Sequence, residues 1–207
     1  GGLNLGIQAP QTAAGDGFIM YTAESAHTRF ASVPVDPDNA DHLVAGFCSD
    51  ESFDLDEGNT SKLQFLFAIR NGVGQHIGEH DGAPGDTPGN EPFAYTQVYN
   101  ATYLSGGPTG DADKSMFRLR ENWGGYYKNC IFGEYNGSAV RIDDKTTPDS
   151  KDRLDAGELE LTNNIWFNFS AGDDWLSLAD GTQFVADYLG SAAAANAVAD
   201  PMLTSID

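Results

Sequence analysis

Basic side chains are scarce in this chain: 207 residues carry 11 Lys and Arg against 31 Asp and Glu, a formal net charge of −20. A surface so short of positive charge repels nucleic acid and anionic membrane surfaces, and both are excluded as partners. Cysteine is nearly absent. Cys48 and Cys130 permit one disulfide, but both sit inside apolar strand-like runs and read as buried free thiols. They are too far apart for a zinc site. No apolar run reaches the length of a membrane span. The chain has no glycine-rich phosphate loop and no G-x-S-x-G elbow, which lowers several enzyme classes at once. It shows no secretory leader and begins on Gly rather than Met, so a processed product or a piece of a longer protein is expected.

What is present is short, β-rich and repetitive. Apolar residues make up 40% of the chain, enough for a folded core, and 24 glycines suit many tight corners better than long helices. Strand-like runs lie at 18–22, 42–48, 62–69, 94–104, 115–119, 126–132, 139–142 and 159–169. Alternation in 116–120 puts Phe117 and Leu119 on one side and Arg118 and Arg120 on the other. Long polar loops separate the runs at 31–41, 72–92, 105–114 and 143–155. The best helical pattern is 182–189, stopped by Gly190, and 202–206 reads as a last strand.

Three segments repeat one another: VYNATY, KNCIF and TNNIWF, each setting an Asn before a short run that ends in an aromatic. Asn100, Asn129 and Asn164 are 29 and 35 residues apart. A strand-bearing repeat of this period predicts stacked coils of a β-solenoid, with these asparagines in a turn ladder. Phe65, Phe67, Leu119, Ile131 and Ile165 are the expected interior stack.

Phrases in order along the chain carry a resemblance. They are FCSDESFDLDEG (47–58), KLQFLFAIR (62–70), GEHDG (78–82), YNATYLSG (99–106), FRLRENWGGYYKNCIFGEYNG (117–137), RLDAGELELTNNIWFNFSAG (153–172) and DPMLTSI (200–206). Together they resemble a family of secreted bacterial right-handed parallel β-helix proteins, found as lipoproteins and cell-surface proteins, most without an assigned activity. The resemblance covers roughly 40–207. It implies an all-β right-handed parallel β-helix with long loop insertions and a short helix near its C-terminal end. Residues 1–207 then form one domain, expected to be part of a longer solenoid, with 1–17 a poorly defined lead-in. The resemblance transfers no catalytic residue.

Four clusters are candidates for chemistry. Asp50, Asp54, Asp56 and Glu57 set carboxylates at near-alternate positions, as Ca²⁺ requires, against the plainer reading of a solvated acidic turn. Glu79-His80-Asp81 combines an imidazole with two acids in a long loop, against a loop anchored by the histidine's hydrogen bonds. Arg118 and Arg120 could bind an anionic group, or pair with acids on neighbouring coils. Among the aromatics Trp123, Tyr126, Tyr127, Tyr135, Trp166, Phe167 and Trp175, most read as core stacks. Trp123 and Trp175 lie in turn-like contexts and are the expected exposed, sugar-gripping pair.

The expected function is non-enzymatic: an extracellular surface scaffold, adhesin or assembly subunit, stabilised by Ca²⁺, with other protein subunits or surface glycans as partners. Open ends of such a solenoid are strand edges, so homo-oligomers by end-to-end association are part of the expectation. The alternative is a carbohydrate-binding or carbohydrate-active protein. Asp54, Asp56, Glu79, His80 and Asp81 would then serve as acid, base or metal ligands.

Overall fold

The computed structural model describes residues 18–21, 39–41, 43–48, 51–70, 75–108 and 114–204. Among the described residues sixteen strands form three sheets in which every pairing is parallel. In chain order they are β1 (Phe18–Tyr21), β2 (Asn39–Asp41), β3 (Leu43–Gly46), β4 (Phe53–Asp54), β5 (Lys62–Gln64), β6 (Phe67–Ile69), β7 (Gly78–Asp81) and β8 (Tyr95–Tyr99). There follow β9 (Thr102–Leu104), β10 (Phe117–Arg120), β11 (Gly124–Lys128), β12 (Ile131–Tyr135), β13 (Val140–Ile142), β14 (Leu159–Thr162), β15 (Ile165–Phe169) and β16 (Ala197–Val198).

The first sheet runs β2-β5-β8-β11-β14, the second β1-β3-β6-β9-β12-β15-β16, and the third β4-β7-β10-β13. From β2 to β15 the chain visits first, second and third sheet in turn and then begins again. Each circuit therefore lays one strand on each sheet, about 4.8 Å along from the last. This is an all-β, solenoid-like fold of parallel sheets.

One corner explains how the sequence breaks its long apolar runs. Between the first and second sheets a single residue takes a left-handed conformation: Phe65, Asn100, Asn129 and Asn163, with φ of 57°, 55°, 61° and 58°; Ala195, with φ of 51°, does the same between α3 (Gln183–Leu189) and β16. The runs 94–104, 126–132 and 159–169 are thus each two strands bent at this residue. Asn tolerates the left-handed region better than most side chains, which is why it recurs here.

The position after each of the four bends from first to second sheet faces inward: Leu66, Ala101, Cys130 and Asn164 are buried. Asn164 Oδ1 accepts from Cys130 N at 2.9 Å and its Nδ2 donates to Tyr127 O at 3.0 Å. Asn196 repeats the motif one coil on, accepting from Asn164 N at 2.9 Å and donating to Leu161 O at 2.8 Å.

The expected ladder is corrected in register by one residue. Asn129 Nδ2 donates to Asn100 Oδ1 at 2.5 Å on the outside, and Asn163 continues that column while Asn164 belongs to the inner one. The same shift corrects the core. Phe65 is 44% exposed, Phe67, Ile131 and Ile165 are half-buried, and Leu66, Ala68, Phe132 and Trp166 face inward instead. Leu119 is interior as expected. It shares one core cluster with Phe53, Tyr103, Phe117, Trp123, Tyr127 and Tyr135; Phe53 stacks on Tyr103, and Phe117 meets Tyr103 and Tyr127 at a tilt. Cys48 and Cys130 are free, buried thiols.

Helices occupy the insertions. The loop at 143–155 contains α1 (Ser150–Asp155), whose start is fixed reciprocally: the Asp149 side chain accepts from Asp152 N, and Asp149 N donates to Asp152 Oδ2 at 2.8 Å; Asp149 Oδ1 also accepts from Ser150 N at 2.8 Å. Residues 82–94 and 143–158 both leave the corner from third to first sheet. Asn122 ties them together there, donating to Pro88 O at 3.0 Å and accepting from Arg153 Nε at 2.8 Å.

Past β15 come α2 (Trp175–Leu178) and α3 (Gln183–Leu189), the latter stopped at Gly190 as the sequence predicts. They cover strand edges. Leu161 N donates to Tyr188 OH at 2.8 Å, Asn163 N to Ala194 O at 2.8 Å, and Ala139 N to Leu178 O at 2.9 Å. Residues 202–204 are irregular, which removes the predicted last strand as far as it is described; 205 and 206 lie outside the described residues.

Candidate functional site

Strand alternation and strand register together decide what the outer face of the third sheet carries. Asp54 pairs with Glu79, Glu79 with Arg118 and Arg118 with Arg141. Two positions along, Asp56, Asp81, Arg120 and Asp143 form the next column: Asp81 N donates to Asp56 Oδ1 at 2.9 Å, Asp81 pairs with Arg120, and Asp143 N donates to Leu119 O at 2.9 Å. The structure therefore brings Asp54, Asp56, Glu79, Asp81, Arg118 and Arg120 onto one face.

The two arginines lie between acids of neighbouring coils. Arg118 Nη1 is 3.1 Å from Glu79 Oε1 and its Nη2 is 3.6 Å from Asp143 Oδ2. Arg120 grips Asp81 bidentately: Nε bonds Oδ1, and Nη2 donates to Oδ2 at 2.7 Å. Lys145 Nζ and Arg141 Nε reach Asp143 at 2.5 and 3.3 Å. Pairing with acids on adjacent coils, the plainer reading of Arg118 and Arg120, is what the register produces.

The environment separates two of these carboxyls. Burial, with Asp56 and Glu79 close by, pushes Asp81 up to about 6 even though Arg120 pulls it down. Burial acts on Asp143 in the same direction, but Lys145, Arg118 and Arg141 outweigh it and hold that carboxyl below its usual range.

His80 is not part of this face. It points inward between Glu79 and Asp81 and is fully buried. Its ring stacks on Tyr127 with centroids 5.8 Å apart and lies 5.1 Å from Trp123. Nδ1 donates to Glu79 O at 2.7 Å and Nε2 accepts from Tyr127 OH at 2.8 Å. Burial lowers its pKa to about 3, so it is a neutral core residue out of reach of any external substrate. Alternation within β7 makes this unavoidable: neighbours in a strand cannot share a face.

The acidic turn is only partly described. Asp50 lies outside the described residues. Asp54 and Asp56 are buried, whereas Glu57 is exposed. Among the described residues no three His, Cys, Asp or Glu side chains converge in a way that could hold a metal ion.

The proposed aromatic pair is corrected. Trp123 is fully buried, and Trp175 is half-buried against Gly190, where an added Cβ would lie 2.6 Å from its ring. The outward aromatics are on the first sheet instead. Tyr95, Gln97 and Tyr99 alternate with buried Thr96 and Val98 along β8, and Tyr126 and Lys128 lie beside them on β11. Tyr99 OH donates to Tyr126 OH at 3.1 Å, which donates to Gln97 Oε1 at 2.5 Å. Tyr95 and Tyr99 meet Tyr126 edge-on, with centroids 6.3 and 5.2 Å away. Lys128 Nζ sits 4.4 Å over the Tyr126 ring and 2.9 Å from Glu160 Oε1. Tyr126 is thus the brace, Tyr99 offers the open ring and Tyr95 a half-buried one. Gly124, opposite Tyr95, leaves that ring its room. Phe65 continues the patch at the corner. The missed signal was parity: Tyr95, Gln97 and Tyr99 occupy alternate positions between buried neighbours.

Comparison with protein-family models, with curated proteins and with solved structures finds no match for this chain.

Proposed function

We propose that this chain is a non-catalytic, extracellular surface protein of the adhesin or scaffold type, built as a right-handed parallel β-helix, whose first sheet holds a glycan. The observation that carries the reading is the tyrosine face. Tyr95 and Tyr99 stand four residues apart on one strand, roughly 13 Å along it, which suits a short stretch of sugar rings laid along that strand. Aromatic faces stack on the apolar faces of sugars, and Gln97, Lys128 and Glu160 supply polar contacts at the margin. A net charge of −20 favours a neutral glycan over an acidic one.

The test is a titration of neutral polysaccharides against the protein, followed by tyrosine resonances. Binding that weakens at least tenfold in Tyr99→Ala, with the fold intact, supports the reading; a panel that leaves those resonances unmoved sinks it. Calcium at 50–57 is a separate part of the proposal, and a melting temperature indifferent to chelator removes it.

A second reading is favoured by the third sheet, where Asp81 and Asp143 flank Arg120 with carboxyls driven in opposite directions. Such a pair suits acid–base work on a sugar chain. Turnover of an acidic polysaccharide abolished by Asp81→Asn, in a protein that still folds, would replace the first reading with this one.

A further inference from the structure

The outer side of the second sheet ends in a cleft that neither reading uses. It encloses about 740 Å³, within the range of small-molecule sites. Its floor is Phe167 on β15. Facing that ring on β12 is Gly133, where a Cβ would meet Phe167 O at 2.3 Å and the ring at 2.4 Å, so a side chain there is incompatible with the ring lying down on the sheet. Val198 and Leu203, from the chain that follows α3, form an apolar wall.

The rim is anionic. Glu134 and Asn168 stand side by side on β12 and β15, both left-handed with φ of 55° and 54°, and Asn168 Nδ2 donates to Glu134 Oε2 at 2.8 Å. Asp173 and Asp200 complete the rim, and no Lys, Arg or His lines the cleft. None of these three acids takes part in an ion pair among the described residues. That contrasts with the third sheet, where arginines lie between the acids.

We propose that this cleft binds a linear aliphatic polyamine, with its methylene segments on Phe167, Val198 and Leu203 and its ammonium groups on Glu134, Asp173 and Asp200. Charge and shape select this class. The rim needs positive charge, but its carboxylates do not converge as a metal would require. A flexible chain with ammonium groups spaced by CH₂ segments meets spread carboxylates and an apolar floor at once.

The test is calorimetric titration of the whole chain with spermidine in 0.15 M NaCl, repeated on the double variant Asp173→Asn/Asp200→Asn. Asn keeps the oxygen that accepts from Met202 N, and the melting temperature confirms folding. The expected result is saturable one-to-one binding, weakened at least tenfold in the double variant, and not displaced by Mg²⁺ at equal charge concentration. Phe167→Leu should weaken it severalfold with all charges kept. Non-saturable binding, equal displacement by Mg²⁺ or an unchanged affinity in the double variant would each assign the effect to the overall charge and overturn the site. So would occupation by a lysine-rich peptide but not by spermidine.

Discussion

The first and third sheets are built alike, with parallel strands in register and one face inward, yet their two faces trade roles. On the third sheet the polar side chains are enclosed: His80 lies within the core, and outside it Glu79, Asp81, Arg118 and Arg120 are mostly buried in one another's company. On the first sheet Tyr127 faces inward and the outer face is left open, with Tyr99 39% exposed. The two sheets meet in the interior through the bond from Tyr127 OH to His80 Nε2. Charge buried with partners makes a face that fails when one member is lost. Rings left in solvent make a face that can lose a member and keep its fold. The difference teaches where to look for stability and where for binding.

The largest expected effect is on the pH dependence of stability, and it belongs to the third sheet. Burial lowers the His80 pKa to about 3, against about 6.5 for an exposed histidine. The folded state therefore binds this proton more weakly than the unfolded chain. The contribution is whole above pH 6.5 and is lost as pH falls toward 3, by about 3–5 kcal/mol. Asp81 works in the opposite sense: raised to about 6, it favours the folded state at low pH and loses that contribution as pH rises through 6. Between pH 4 and 6 the two contributions have opposite slopes of about equal size, so chemical denaturation should show little net change of stability there, with a rise only above pH 6. Asp81→Asn should uncover a rise with pH across the whole window, and His80→Phe a fall. A rise with pH in His80→Phe would place the acid-sensitive group elsewhere.

Next is the arginine clamp. Arg120→Ala leaves Asp81 partly buried beside Glu79 and Asp56 without its bidentate partner, and should cost about 3 kcal/mol. In a double-mutant cycle with Asp81→Asn, most of that cost should disappear, because the second change removes the stranded charge. Additive losses would show that Arg120 stabilises by packing its stem instead.

Much of this contrast could be read from residue order. Alternation in Phe117-Arg118-Leu119-Arg120 predicted both faces of β10, and the repeat of Asn before an aromatic run predicted stacked coils. What escaped was register at the bend. Asn163-Asn164 offers two candidates for one corner, and only the backbone shows that the first bends while the second points inward. An uncounted bend residue flips every later side chain, so Phe65 and Ile131 were expected inside and Leu66 was not. Trp123 was read as exposed because it precedes two glycines, yet β11 begins at Gly124 and puts Trp123 under the corner that Asn122 and Ser150 close. The bend itself is testable. Asn129→Ala should lose about 1 kcal/mol, from the bond to Asn100 and from a poorer left-handed residue. Asn129→Gly should lose less, since glycine accepts the conformation freely. Equal losses would mean that the side-chain bond, and not the backbone, is what matters there.

The smallest effect on stability should come from the first sheet, and its smallness is the point. Tyr99→Ala removes a ring already 39% exposed and one bond to Tyr126, which keeps its bond to Gln97 and its contact with Lys128. Unfolding should shift by no more than about 0.5 kcal/mol, the range of ordinary surface substitutions. Against the loss of about 3 kcal/mol on the third sheet, that would mark a surface not held in place for the fold's own sake. A loss above about 1.5 kcal/mol, well outside the surface range, would mean that the tyrosines brace the sheet as the arginines do. The distinction between a face for stability and a face for binding would then fail at its open side, and the glycan reading would lose the observation that carries it.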